Sequence, residues 1–152
     1  MPQFGRNETA GVAERTWTNF LLVQQTFEES GKGHVVTQLM CSMLGLVVFP
    51  WERSVIDRAK LEQLDKLVVE GWPRWQFCEG NCETLWDLIR NLRHSVAHSE
   101  IWFSTDSRNL NEVSIEFANY PRNRPRWKAQ IRGDNLREFC MQFQKYISNV
   151  VD

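Results

Sequence analysis

One short segment of the chain, containing Arg93, His94 and His98, carries the side chains best suited to chemistry. Cleaving an RNA phosphodiester without a metal needs a base for the 2′-hydroxyl proton, a cation for the charged phosphorane, and an acid for the leaving oxygen. Histidine titrates near neutral pH and can be base or acid, while arginine stays charged and donates paired hydrogen bonds to phosphate oxygens. The pattern Arg-x-x-x-x-His therefore indicates phosphodiester chemistry, although a solvated helix face could carry the same residues.

The element that must position these side chains is a predicted amphipathic helix that opens near Asn81, a good capping residue. Four apolar side chains recur at helical spacing and predict its buried face: Leu85, Ile89, Leu92 and Val96. The opposite face is predicted to be polar and to point at solvent or a partner: Asp87, Arg90, Asn91, His94 and His98.

Helix geometry limits what one copy of this helix can do. At about 100° per residue, Arg93 and His98 project roughly 140° apart, toward different edges of the polar face. A single copy is therefore predicted to make a poor active site.

Residues Ile89–His98 resemble the catalytic helix of the HEPN superfamily, the higher eukaryotes and prokaryotes nucleotide-binding domain. The resemblance includes the polar residue after the arginine and the small residue before the histidine. His94 stands where this superfamily most often has asparagine. Together with the segment Gly45–Glu52, the residues Ile101–Phe103 are similar in particular to a plasmid-borne bacterial HEPN nuclease family, and the resemblance extends from about residue 8 to residue 150.

This resemblance implies a mainly α fold, a four- or five-helix bundle with a small antiparallel β-hairpin before the C-terminal helix. It also implies a homodimer in which two such helices meet across a two-fold axis. Arg93 would then clamp the phosphate and His98 would act as base or acid. Three neighbours would orient these groups or contact substrate: His94, Arg90 and Asn91.

The function implied by the resemblance is a metal-independent RNA endonuclease that needs no cofactor and leaves a cyclic phosphate and a free 5′-hydroxyl. The protein would act as a bacterial toxin or an antiviral defence effector. Its partners would be RNA and a second copy of the chain, with an antitoxin protein as a candidate partner. The alternative is a non-catalytic interaction module whose polar helix face binds a nucleotide or an antitoxin partner.

A second cluster of basic residues lies further along the chain and predicts an RNA-binding patch. Its members are Arg122, Arg124, Arg126, Trp127 and Lys128. Cationic and aromatic side chains could hold one RNA strand through phosphate contacts and base stacking. The alternative is a solvated strand pair in which Glu112 and Glu116 face the basic residues.

Two pairs of residues could indicate a metal site. His94 and His98 have the spacing of metal ligands on a helix, but no glutamate follows His94 and a third ligand would have to come from elsewhere. Cys78 and Cys82 have the wrong spacing for the usual zinc pair, and at least one of these thiols is predicted to lie in the core. No metal site is predicted.

Composition favours a single domain over residues 1–152. The chain has 152 residues, 42% of them hydrophobic, which suits one compact core. A formal net charge of −1 argues against a generally basic nucleic-acid binder, so RNA contacts would need a local patch. Four scattered cysteines and the lack of a signal sequence favour a reducing cytoplasm. The longest apolar run, Met43–Trp51, is too short to span a membrane.

Apolar periodicity predicts the remaining helices. The first covers about Glu8 to Glu29. The second covers His34 to Val48, ends at Phe49-Pro50 and is predicted to lie deep in the core. The third is more exposed, begins irregularly and reaches Glu70. Arg74 to Gly80 is predicted as a short connection. The final helix is predicted to be capped by Asp134 or Asn135.

Alternating residues predict a small hairpin or sheet at about residues 101–132, before the final helix. Its strands should contain Ile101–Phe103, then Val113, Ile115 and Phe117, and then Trp127–Ile131.

Overall fold

The computed structural model describes residues 2–52 and 56–150, with side chains for residues 8–51 and 56–150. The helices are α1 (Pro2–Ser30), α2 (Val35–Met43), α3 (Phe49–Glu52), α4 (Leu64–Val69), α5 (Leu85–Ala97) and α6 (Gly133–Val150). A π-helical turn (Leu44–Val48) joins α2 to α3, and short 3-10 turns cover Asp57–Leu61 and Leu110–Glu112. The predicted mainly helical architecture is confirmed.

Four strands form one antiparallel sheet, which is larger than the predicted hairpin. They are β1 (Gln76–Glu79), β2 (Ile101–Phe103), β3 (Ser114–Asn119) and β4 (Trp127–Arg132), in the order β1-β4-β3-β2. The three predicted strands are present, whereas β1 lies in the segment predicted as a connection. Its four residues alternate only between exposed and half-buried, so β1 has little apolar signal of its own. It forms by pairing with β4, far away in the sequence.

The core lies between the sheet and the helices. Buried side chains of β3 and β4 alternate along each strand, including Ile115, Phe117, Ala129 and Ile131. One face of α6 packs into the core, since Leu136, Phe139, Phe143 and Ile147 are all buried. On α5 the predicted face is confirmed for Leu85, Ile89 and Leu92, while Val96 is only partly buried.

The second predicted helix continues past the proline at which it was expected to end. Residues 35–52 are helical throughout, because the π-helical turn changes the hydrogen-bond register before Pro50. The Phe49 amide donates to the Leu44 carbonyl, and Pro50 becomes the second residue of α3. Proline supplies no amide donor, and it is tolerated here because the π-helical turn already interrupts the regular hydrogen-bond pattern before it. The predicted deep burial is confirmed at Leu39, Met43, Leu46 and Val47.

The remaining predicted elements differ mainly at their ends. Helix α1 begins at Pro2, earlier than the predicted Glu8. The segment that reaches Glu70 consists of a 3-10 turn and the short helix α4, with Leu61 and Val69 well exposed, while Val55 lies outside the described residues. Within the described ranges, no helix combines the length and the apolar character needed to cross a membrane.

Candidate functional site

A capping box fixes where α5 begins. The Thr84 hydroxyl accepts a hydrogen bond from the Asp87 amide at 3.1 Å, and the Asp87 carboxylate accepts one from the Thr84 amide at 3.4 Å. These reciprocal bonds satisfy amide groups that have no partner within the helix. The predicted cap at Asn81 is therefore wrong by three residues, because Asn81 bonds locally to the Cys82 amide instead.

Two buried polar side chains hold α5 against β3. The Ser95 hydroxyl lies 2.6 Å from the Ala118 carbonyl oxygen, and the Asn119 side-chain amide donates to the Asn91 side-chain oxygen at 2.9 Å. Asn91 also donates to the Asp87 carbonyl at 3.0 Å. Asn91 is only 6% exposed, so its predicted place on the solvent-facing stripe is corrected. It faces β3 because burial of an amide is tolerated only where its hydrogen bonds are made.

The other end of α5 presents the predicted catalytic side chains. The helix ends at Ala97, and His98 is its C-cap residue, with an amide that donates to the His94 carbonyl at 3.0 Å. Ser99 then takes a left-handed conformation, with φ +56°, and turns the chain toward β2. His98 is exposed, whereas Arg93 and His94 are half-buried.

His94 and His98 form a stacked pair, which we call the histidine pair. Their ring centroids are 6.1 Å apart and their planes differ by 9°. Burial lowers the pKa of His94, and the positive charges of Arg93, His98, Arg90 and Arg124 lower it further. The imidazole of His94 is therefore held in its neutral form at neutral pH, in which one ring nitrogen can accept a proton.

This depressed pKa predicts a pH dependence of stability. Because the folded-state pKa of His94 lies below its unfolded value of about 6.5, the unfolded chain binds the proton more tightly. The contribution of His94 is present above that unfolded value and is lost as the pH falls through the folded-state pKa. We expect the melting temperature to fall less from pH 7.5 to pH 5 in His94→Gln than in the unmodified protein, as measured by circular dichroism. Identical pH profiles for the two proteins would contradict the expectation.

A pocket of about 150 Å³, which we call the basic pocket, opens between α5 and the loop that joins β3 to β4. The side chains important for its chemistry are Arg90, Asn91, Asn119, Arg124, Arg126 and Trp127. Arg90 lines this pocket and precedes His94 by one turn of α5, so the basic pocket lies near the histidine pair. The charges of Arg90 and Arg124 both lower the pKa of His94. The structure thus joins two predicted sets of residues, from the helix and from the basic cluster.

Only part of the predicted RNA-binding patch is available for such contacts. Arg122 and Arg124 are exposed, and Arg126 is exposed although its Nε lies 3.4 Å from a Glu79 carboxylate oxygen. Lys128 lies 3.4 Å from a Glu116 carboxylate oxygen, as the strand-pair alternative predicts.

The predicted role of Trp127 in base stacking requires correction, because its side chain is 3% exposed. It packs near Phe77 with ring centroids 6.4 Å apart, so the alternating burial of β4 places it in the core. Glu112 does not face the basic residues either, since it accepts a hydrogen bond from Ser107.

Comparison with known proteins decides the family. A protein-family model described as HEPN pEK499 p136 matches residues 2–152. The chain belongs to this HEPN family. No curated protein and no solved structure matches it. The resemblance inferred from Ile89–His98 is thereby confirmed over nearly the whole length of the chain.

Sequence patterns missed two residues of the HEPN chain's candidate site. Asn119 joins β3 to Asn91 and lines the basic pocket, and the Trp86 ring lies 5.1 Å from the guanidinium carbon of Arg90. Asn119 gave no signal because a single asparagine close to a proline is typical of any turn. The signal for Trp86 is its position four residues before Arg90, which places both side chains on one helix face.

Metal binding and cysteine chemistry gain no support from the described residues. Among residues 2–52 and 56–150, no third histidine, cysteine, aspartate or glutamate joins His94 and His98 in a group able to hold a metal ion. The prediction that one thiol lies in the core is confirmed, since Cys82 is buried and burial raises its pKa to about 11. A thiol of this kind stays protonated and unreactive at neutral pH.

Proposed function

We propose that this HEPN protein is a metal-independent RNA endonuclease that acts as a homodimer. The observation that carries the proposal is the end of α5, where the histidine pair lies among Arg90, Arg93 and Arg124. Acid-base groups beside several guanidinium groups match what phosphodiester cleavage requires.

The side chains divide the work as follows. Exposed His98 moves a proton at the 2′-hydroxyl or at the leaving oxygen. Arg93 donates hydrogen bonds to the phosphate oxygens and stabilises their growing negative charge. His94, kept neutral by burial and by its charged neighbours, accepts a proton or orients His98. Arg90 and Arg124 attract the phosphate backbone to this end of the helix.

The second copy completes the site. Arg93 and His98 of one helix project roughly 140° apart, so one protomer aims them at different places. Two α5 helices related by a two-fold axis would bring an arginine and a histidine from each protomer into one cleft. Their position at an exposed helix end leaves room for that approach.

The resemblance to HEPN nucleases, and not the geometry, supports a biological role. We propose that the enzyme is a bacterial toxin or an antiviral defence effector that works in the cytoplasm, and that an antitoxin protein is a candidate partner.

The test is cleavage of mixed RNA by the purified protein in the presence of a chelator. We expect cuts that leave a cyclic phosphate and a free 5′-hydroxyl. Cleavage that disappears with chelator would contradict the metal-independent mechanism.

Mixed dimers test the shared site. Arg93→Ala and His98→Ala are each expected to cleave RNA at least about 10²-fold more slowly than the unmodified protein. Co-refolding them should restore part of the activity, because one cleft would then keep one arginine and one histidine. A mixture that forms heterodimers and stays inactive would contradict the shared cleft.

A non-catalytic module is the second candidate function. The basic pocket favours it, because arginines around a small cavity would hold the phosphate of a nucleotide without any chemistry. Nucleotide binding by a protein that cuts no RNA under any condition would support this candidate and overturn the endonuclease.

A further inference from the structure

We propose that the basic pocket is a phosphate subsite that holds a phosphodiester of the bound RNA next to the one that is cleaved. The identity of this phosphate rests on the proposed endonuclease function. The existence of the subsite rests on the pocket alone.

The first feature is the charge of the pocket lining. Arg90 comes from α5, while Arg124 and Arg126 come from the loop between β3 and β4, so the arginines face the pocket from two elements. None of the described residues that line the pocket is acidic. Within the part of the chain that the structure describes, Arg90 and Arg124 form no ion pair. The pocket therefore carries positive charge that an anion would neutralise.

The second feature is the size and shape of the pocket. The volume of about 150 Å³ is well below the roughly 300 Å³ at which pockets begin to hold drug-sized ligands. Trp127 is buried in the pocket wall and presents almost no ring surface for base stacking. The space suits a phosphate group and not a stacked base.

The walls of the pocket are held in place before any ligand arrives. The guanidinium carbon of Arg90 lies 5.1 Å from the Trp86 ring centroid, and that of Arg126 lies 4.1 Å from the Tyr120 ring centroid. Pro121 and Pro125 restrict the loop, because proline fixes φ near −65°. Arginines held in this way lose less conformational entropy when they bind.

Gly80 forms part of the same wall and shows how closely it is built. The residue has φ +69°, and a Cβ atom there would lie 2.8 Å from the Arg126 carbonyl oxygen. The loop before α5 can therefore approach the loop after β3 only because residue 80 is glycine. This close approach brings Gly80, Asn81 and Arg126 together in the lining of the pocket.

The third feature is the position of the pocket relative to the histidine pair. Arg90 lines the pocket and precedes His94 by one turn of α5, and the charges of Arg90 and Arg124 lower the pKa of His94. The pocket therefore lies near the proposed site of cleavage. A strand that places one phosphate at Arg93 and His98 would carry the neighbouring phosphate toward the pocket. The subsite would then fix the register of the strand.

Binding of a 2′-O-methyl RNA oligonucleotide tests the proposal, because this probe lacks the hydroxyl needed for cleavage. Fluorescence anisotropy would compare the unmodified protein with Arg124→Gln and with Arg122→Gln. Both variants remove one positive charge from the same exposed loop, but only Arg124 lines the pocket. We expect about tenfold weaker binding for Arg124→Gln, with a salt-dependence slope reduced by about 0.7. For Arg122→Gln we expect about twofold weaker binding, through screened long-range charge alone.

Arg90→Gln, which removes the pocket arginine that comes from α5, should reproduce the loss seen in Arg124→Gln. Circular dichroism would show that both variants are folded. Equal losses for Arg122→Gln and Arg124→Gln would overturn the subsite in favour of diffuse surface charge. Calorimetry with inorganic phosphate separates the sources of the ligand. Phosphate binding lost in Arg124→Gln, with oligonucleotide binding unchanged, would assign the pocket to free phosphate and overturn the RNA subsite.

A separate measurement of RNA cleavage distinguishes failure of the subsite from failure of the endonuclease proposal. RNA cleavage without pocket-dependent binding would contradict the subsite alone. Pocket-dependent binding by a protein that never cuts would retain a phosphate site and overturn the endonuclease.

Discussion

Replacing His98 by alanine is expected to slow RNA cleavage by about 10²–10⁴-fold, the range that one positioned acid or base contributes. His98 is the exposed member of the histidine pair and follows the last residue of α5, so its ring can reach a substrate. The substitution removes the group that transfers the proton, and it leaves the capping box and the buried face of α5 unchanged.

The measurement is single-turnover cleavage of a fluorescent RNA by each protein, with chelator present. His34→Asn is the matched control, because it removes a histidine that lies at the start of α2 and caps it through the Thr37 amide at 3.2 Å. Asparagine is also a good capping residue, so this variant should cleave at the normal rate. If His98→Ala cuts as fast as His34→Asn, His98 is not the acid or base.

Arg93 is tested in the same assay by two substitutions. Arg93→Ala should lose about 10²–10³-fold in rate, as when one oxyanion donor is removed. Arg93→Lys should recover part of that loss, since lysine keeps the charge without the paired donors. Full activity in Arg93→Ala would exclude a phosphate clamp at this position.

The second large effect concerns stability. We expect Asn91→Ala to lower the free energy of unfolding by about 3 kcal/mol, at roughly 1 kcal/mol for each hydrogen bond lost. The side chain donates to the Asp87 carbonyl and to the Cys82 sulfur, and it accepts from Asn119. Alanine would leave the buried ends of these bonds without partners and loosen α5 from β3.

Urea unfolding followed by tryptophan fluorescence measures this loss. Arg90→Ala is the comparison variant, since Arg90 neighbours Asn91 in sequence but is partly exposed over Trp86. It should change the free energy of unfolding by less than about 1 kcal/mol, as surface substitutions do. Comparable losses in both variants would argue against Asn91 as the structural anchor.

A double-mutant cycle with Asn119→Ala isolates the contact between α5 and β3. The sum of the losses in unfolding free energy of the two single variants should exceed the loss in the double variant, because each single substitution removes the same hydrogen bond. Additive losses would contradict a direct interaction between the two amides.

Helix α5 shows how much of this site is readable without coordinates. The spacing of Leu85, Ile89 and Leu92 predicted both the helix and its buried face, because a period of 3.6 residues is a property of the chain itself. The same spacing placed Arg93 and His98 on the remaining surface. Local chemistry of this kind also identified the HEPN family, since the motif lies within ten consecutive residues.

Asn91 shows where sequence patterns fail. Its polarity predicted a solvent-facing side chain, but a partner on β3, which is 28 residues away in the sequence, makes burial favourable. The prediction for Trp127 is also wrong. Its basic neighbours suggested a surface patch, but the alternation of β4 turns its ring into the core.

The backbone corrections have the same origin. Strand β1 exists because β4 supplies the hydrogen bonds that its short sequence cannot provide alone. Pro50 fits inside a helical segment because the π-helical turn before it changes the donor and acceptor register. Neither the pairing of β1 with β4 nor the π-helical turn before Pro50 can be predicted from a short window of residues.

Periodicity and motif chemistry were therefore enough to predict a mainly helical HEPN chain and its candidate arginine and histidine, since both arise from residues that are neighbours along one helix. The basic pocket, the structural role of Asn91 and the burial of Trp127 required the folded chain. Each depends on contacts between α5, β1 and the segment from β3 to β4, and such contacts form only when distant segments pack and exclude water.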